Sequence, residues 1–201
     1  MSSIPGFAKM KKIYHNNRIM KRLFIAVPSP ITIQKIISEI EHEWEKLAGH
    51  DVKWVNPEQA HLTLHFLGDT EEGTVPEIIK IIKESTIKVR PFLLVLKGLG
   101  TFPQPSNARV VYINVEEIKS HVLNTLHKNL SNQLKSLGFV IDERRFVPHI
   151  TLGRLRQTKS LTTEWYVSRP ISWSVNEIHL MESKLRASGP IYSIVESARL
   201  N

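Results

Sequence analysis

Two tetrads carry the chemistry of this chain: His61-Leu62-Thr63-Leu64 and His149-Ile150-Thr151-Leu152. Each reads His, apolar, Thr, apolar. In a strand, that period of two throws His and Thr onto one face and turns the apolar pair into a core. A single copy is best read as a hydrogen-bonded strand histidine. Two copies in a chain with only 9 His point instead to a shared site. An imidazole titrates near neutrality, so one ring can take a proton while its partner gives one. Phosphodiester hydrolysis needs both acts, one to activate water and one to protonate the departing alkoxide. Thr63 and Thr151 add hydroxyls that can donate to phosphoryl oxygens without adding charge. A phosphate therefore fits between the four groups.

The elements around the tetrads follow from hydrophobic period and punctuation. Residues 1–19 have no sustained period and read as a flexible N-terminal arm; residues 20–201 read as a single bilobal domain. Arg22-Leu23-Phe24-Ile25-Ala26-Val27 is a buried strand ended by Pro28, and Ser29-Pro30 opens a helix that Gly49 closes. The first tetrad's strand continues through His65-Phe66-Leu67 to Gly68. His65 shares the alternation of His61 and Thr63, which predicts a solvated strand position. Thr74-Val75-Pro76-Glu77 reads as a capping box before a second helix. Phe92 to Leu99 is a strand, followed by the loop from Thr101 to Asn107.

The second half repeats this order. Arg109 opens a strand as Arg22 does, a helix runs from about Ser120 to Gly138, and another strand leads to the tetrad. Arg22 precedes His61 by 39 positions and Arg109 precedes His149 by 40. The near-equality predicts two lobes related by a pseudo-twofold, with the tetrads face to face. After Gly153 and Arg154 a polar loop is expected. Ile171 to Ser183 and Pro190 to Glu196 then read as a closing pair of strands around the turn at Arg186–Gly189. The predicted fold class is α+β, with antiparallel-rich sheets around a central cleft and helices outside.

Composition sets bounds. The formal net charge of +8 favours a polyanionic partner. With no cysteine, disulfides, thiolate zinc sites and a Cys nucleophile are excluded. No run of eighteen apolar residues and no signal-peptide core are present, so no membrane partner is expected and a cytoplasmic location is. No His-x-x-x-His or carboxylate cluster accompanies the tetrads, so no metal or other cofactor is expected.

These residues resemble the RNA 2′,3′-cyclic phosphodiesterases, also called 2′-5′ RNA ligase-like proteins, of the two-histidine phosphoesterase superfamily. The resemblance covers about Lys21 to Glu196. It rests on Arg22-Leu23-Phe24-Ile25-Ala26, on Trp54 ahead of His61-Leu62-Thr63-Leu64-His65-Phe66-Leu67-Gly68, and on Gly100-Thr101-Phe102-Pro103. It continues in Phe146-Val147-Pro148-His149-Ile150-Thr151-Leu152-Gly153-Arg154, Glu182-Ser183-Lys184-Leu185 and Gly189-Pro190-Ile191-Tyr192. It implies a metal-independent enzyme, expected as a monomer, that opens the 2′,3′-cyclic phosphate at an RNA end to a 2′-phosphate. His61 would give the proton to the leaving 3′ oxygen and His149 would take one from water. Chain position alone does not assign these roles. Run backwards, the same roles would join RNA ends by a 2′-5′ bond.

Arg154 would neutralise phosphate charge, although strict alternation puts it on the face away from His149, so a bend near Gly153 is required. Arg109 could add positive potential; for Arg22 a salt bridge at the strand start is expected. Phe102 could stack on a base and Tyr192 could lie near the cleft, with core packing as the competing reading for both. Two rivals remain: a phosphodiesterase for small cyclic nucleotides or 2′-5′ oligoadenylate, and a non-catalytic module that grips RNA ends.

Overall fold

Leu23, Ile25 and Val27 are almost fully buried, and their alternation with Arg22, Phe24 and Ala26 makes β1, Met20–Pro28, a central strand with two distinct faces. The computed structural model describes residues 19–48, 51–161, 170–187 and 189–201. Residues 1–18 of the expected arm, Gly49 and Ser188 lie outside the described residues. Ile19 is held at the start of β1, its carbonyl accepting the Glu72 N–H at 2.9 Å.

Along the chain follow α1 (Ile31–Ala48), β2 (Val52–Trp54), β3 (His61–Glu71), α2 (Val75–Thr86), β4 (Phe92–Phe102) and β5 (Ala108–Glu117). Then come α3 (Val122–Ser136), β6 (His149–Lys159), β7 (Ile171–Val175), β8 (Glu177–Arg186) and β9 (Gly189–Arg199). The fold is α+β. The sheets expected of two lobes are one antiparallel sheet in the order β7-β4-β5-β6-β3-β1-β8-β9, with β2 on the edge of β6. The halves meet at a single register pair, Leu62↔Ile150, between the strands that carry the tetrads. The helices cover the apolar face: Ile33, Ile37, Ile40 and Trp44 of α1, Ile78 and Ile82 of α2, and Leu123, Leu126, Leu130 and Leu134 of α3 are buried there.

The sheet curls strongly. Strands β3, β1 and β8 separate β6 from β9, a span of about 19 Å on a flat sheet. Yet Nζ of Lys53, on the strand attached to β6, lies 3.7 Å from where a Cβ on Gly189 of β9 would stand.

Four local expectations are corrected. Thr74 makes no side-chain cap; it ends a 3-10 turn, Glu72–Thr74, that runs straight into α2 with helical dihedrals, so the capping box does not form. Helix α3 starts at Val122, where the Glu117 carboxylate accepts the Val122 and Leu123 N–H groups, each at 2.9 Å. The polar loop expected after Arg154 is strand as far as Lys159, because β5 and β2 supply partners on both edges of β6. The single strand expected over Ile171–Ser183 is two: Asn176 interrupts it, β7 pairs with β4, and β8 pairs with β1 in the other half.

Candidate active site

Both tetrads are bounded in the same way. A 3-10 turn at Pro57–Gln59, with Asn56 Oδ1 accepting the Glu58 N–H, delivers the chain to His61. The Gln59 carbonyl then accepts a hydrogen bond from His61 Nδ1 at 2.7 Å. The Val147 carbonyl, also two residues back, takes the same bond from His149 Nδ1 at 2.7 Å. A carbonyl only accepts, so Nδ1 carries the proton in each ring and Nε2 holds the titrating lone pair.

The register pair Leu62↔Ile150 sets His61 across from Thr151 and Thr63 across from His149. His61, Thr63, His149 and Thr151 are half-buried, while Leu62, Leu64, Ile150 and Leu152 are buried on the reverse face. Among the described residues neither threonine hydroxyl has a hydrogen-bond partner. The structure thus brings together the four tetrad residues named from sequence.

Aromatic rings fix both imidazoles. Phe24 lies 4.8 Å from His61 and Tyr192 5.2 Å, the latter edge-on. Tyr112 and Phe102 each lie 5.0 Å from His149, and they stack on one another at 4.3 Å. Phe102 and Tyr192 therefore belong to the site as buttresses of the histidines. A side chain at Gly100 would stand 2.4 Å from the Tyr112 ring, so the bare backbone there makes room for that buttress. Phe24 and Tyr112 were not singled out from sequence, although each stands 37 positions before its histidine.

The fourth residue of each tetrad is a bulge. In β3 the pairing with β1 steps from Ala26↔Thr63 to Ile25↔His65, and in β6 the pairing with β5 steps from Tyr112↔Thr151 to Val111↔Gly153. Each extra residue reverses the alternation that follows. His65 therefore turns inward, a correction to the solvated position expected: it is 4% exposed, its Nε2 sits 3.0 Å from the His127 carbonyl and its ring stacks on His127 at 4.3 Å. The same reversal is the bend that Arg154 required. Arg154 comes round to the face of His149, where its charge acts on that ring and on Tyr192. Phe66, at the matching place five residues after His61, is 70% exposed beside Phe24.

Arg22 pairs only loosely with Asp69, at 3.9 Å between exposed groups, and its charge also reaches Tyr192. It is thus a cation of the site face as well as a salt-bridge partner. Arg109 is exposed on β5 next to Val110, the residue that pairs with Arg154.

Burial lowers the pKa of both histidines. The backbone bonds oppose that shift; for His61 the charge of His149 adds to it, and for His149 the guanidinium of Arg154 does. No group of three or more His, Cys, Asp or Glu among the described residues is arranged to hold a metal. Among the described residues no helix is long and apolar enough to cross a membrane.

An α+β sheet curled around two histidines in mirrored settings is the architecture of the two-histidine phosphoesterases. A protein of Thermus thermophilus, TT0787, superposes with a TM-score of 0.74 at 27% identity, over 89% of this chain and 97% of that one. LigT of E. coli, solved in complex with 3′-AMP, shares the fold at a TM-score of 0.75 and 24% identity, over 91% and 99%. The sequence profile of the 2′-5′ RNA ligase superfamily matches residues 34–186, and the chain belongs to that family. An RNA 2′,3′-cyclic phosphodiesterase of Methanothermobacter thermautotrophicus is 33% identical, over 89% of this chain and 98% of the relative. One from Aquifex aeolicus is 34% identical, over 87% and 95%.

Proposed function

We propose that this protein hydrolyses the terminal 2′,3′-cyclic phosphate of RNA to a 2′-phosphate; its relatives in Methanothermobacter thermautotrophicus and Aquifex aeolicus are named RNA 2′,3′-cyclic phosphodiesterases. The observation that carries the proposal is the mirrored pair of imidazoles, each tied at Nδ1 by a carbonyl and each with Nε2 left to exchange a proton.

Water attacks phosphorus while His149 Nε2 takes its proton; the P–O3′ bond breaks, and His61 Nε2–H gives its proton to O3′. The product carries a 2′-phosphate and a free 3′ hydroxyl, and solvent resets the two rings. Arg154 supports this order of roles. A guanidinium beside His149 disfavours the imidazolium and keeps that ring the base. Burial and the charge of a protonated His149 disfavour a proton on His61, and an anionic phosphate bound against that ring restores its protonated, acid form.

Thr63 and Thr151 donate to the phosphoryl oxygens, and Arg154 neutralises their charge, as a planar guanidinium does well. Phe66 offers the ribonucleotide an exposed ring on which its base can stack. With a 5′ hydroxyl in place of water, the same two transfers make a 2′-5′ bond; at water's concentration hydrolysis prevails. Both proton transfers are supplied by side chains, so the reaction is proposed to need no metal ion.

The test is to incubate the protein with an RNA oligomer ending in 2′,3′-cyclic phosphate, with EDTA present, and to identify the product by its mobility and phosphatase sensitivity. A 2′-phosphate is expected. His61→Ala and His149→Ala should each lower kcat/KM by about 10² to 10⁴-fold with an unchanged circular dichroism spectrum. Full turnover in either variant refutes the assignment, and a 3′-phosphate product refutes the proposed bond cleavage.

A further inference from the structure

Lys53 takes no part in the two proton transfers. It is the middle residue of β2, a strand of three residues that takes up the edge of β6 beyond the point where β3 leaves it. Its neighbours Val52 and Trp54 close on Gly153, where a Cβ would stand 2.6 Å from Val52 and 3.0 Å from Trp54. They turn to the core and Lys53 to the opposite side. Directly across the ladder stands Arg154. Two cations facing each other on one side of a sheet repel. Among the described residues neither has a carboxylate within ion-pair distance, so the arrangement invites an anion.

Arg154 serves His149 and the reacting phosphate. Lys53 reaches away from Arg154: its Nζ lies at the β8–β9 turn, 3.7 Å from the Cβ position of Gly189, three residues before Tyr192. Arg186, the partner of Gly189 in that turn, is exposed and adds a further positive charge there.

We propose that Lys53, bridging β2 to the β8–β9 turn, forms a second phosphate subsite that holds the first internucleotide phosphate of the RNA, one step outward from the cyclic phosphate. This rests on the reading of the site as a 2′,3′-cyclic phosphodiesterase and adds its specificity: the enzyme acts on the ends of chains in preference to single nucleotides. The cation is a lysine on a flexible stem, which suits a phosphate that must be gripped without being oriented for chemistry.

The experiment compares three substrates on the full chain: a mononucleotide 2′,3′-cyclic phosphate, a dinucleotide ending in the same group, and that dinucleotide with a neutral methylphosphonate linkage. The wild type should prefer the ordinary dinucleotide. Lys53→Ala should lower the ratio of its kcat/KM to that of the mononucleotide by about tenfold, through KM and not kcat. Lys53→Arg should restore it, and the methylphosphonate should show no such ratio in any variant. For longer RNA the salt dependence of binding should become shallower by about 0.7 in log–log slope in Lys53→Ala. An unchanged ratio overturns the subsite, and so does an equal loss on all three substrates, which would place Lys53 at the reacting phosphate. Affinity for a dinucleotide 2′-phosphate, measured against the mononucleotide 2′-phosphate, judges the subsite without turnover. If the wild type cleaves none of the substrates, the functional reading fails, while an affinity difference that Lys53→Ala abolishes still upholds the subsite.

Discussion

His61 and His149 share a tautomer and a buttress of two aromatic rings, and differ in the charge beside them. Arg154 acts on His149; His61 feels the partner histidine instead. That asymmetry sits on one side chain and has a sign. The guanidinium destabilises a protonated His149, so replacing it with an uncharged chain of similar length lets the ring hold its proton to higher pH. In Arg154→Met the rising, acid-side limb of kcat/KM against pH should therefore move to higher pH. The falling limb, set by loss of the acid's proton, should stay where it is. The expected loss at neutral pH is about 10 to 100-fold, from poorer phosphate binding and a partly protonated base together. If the alkaline limb moves and the acid limb stays, the ring beside Arg154 is the acid and the two roles are exchanged.

At the scale of elements, the bulges after Thr63 and Thr151 let one strand serve two purposes. Before each bulge the strand presents a histidine and a threonine to the site face. After it, β3 sends His65 beneath α3 and β6 brings Arg154 back to the site. His65 stacks on His127, which stacks on Phe146 at 4.0 Å, and Ser131 Oγ lies 3.3 Å from His65 Nε2. Burial and the charge of His65 push His127 down to about 4, and burial lowers His65 as well. A folded state that resists protonation loses stability where the unfolded chain takes protons. The column's contribution is full above the ordinary value of 6.5 and is lost as pH falls from there toward 4. His127→Phe keeps the stack without the titrating ring. Its stability should fall less between pH 6.5 and 4 than that of the wild type, by about 1 kcal/mol once solvent screening of the half-exposed ring is allowed for. Urea midpoints across that range read the difference, and parallel curves would clear the column of any part in acid sensitivity.

The same bulges mark the boundary of what the sequence discloses. The tetrads, their strands and the helix faces were legible because period and punctuation are local. Alternation misplaced His65 and left Arg154 needing a bend, because nothing in either residue's neighbours announces that Leu64 or Leu152 will be the extra residue of a bulge. The break at Asn176 was hidden likewise: Ile171–Ser183 has strand character throughout, and only the choice of partner divides it.

That choice of partner governs the whole molecule. Strand β4 follows the first tetrad in the chain but pairs with β5, and β8 follows the second tetrad but pairs with β1. Each half of the sheet is completed by a strand from the other's stretch of sequence, and β2 crosses as well, to β6. A cleft built this way cannot have one wall unfold alone, since removing either half strips edge partners and buried area from the other. Unfolding should therefore be a single transition wherever it is observed. Trp44 and Trp54 belong to the first half of the chain and Trp173 to β7 in the second. Variants that keep only Trp44 or only Trp173, with the other tryptophans, Trp54 beside β6 and Trp165 included, replaced by Phe, report each side separately. Their fluorescence midpoints in urea, normalised to the circular dichroism midpoint of the same variant, should coincide. A midpoint for Trp173 that separates from the backbone signal would show that the lobe carrying His149 opens independently, and that the exchanged strands do not bind the halves into one cooperative unit.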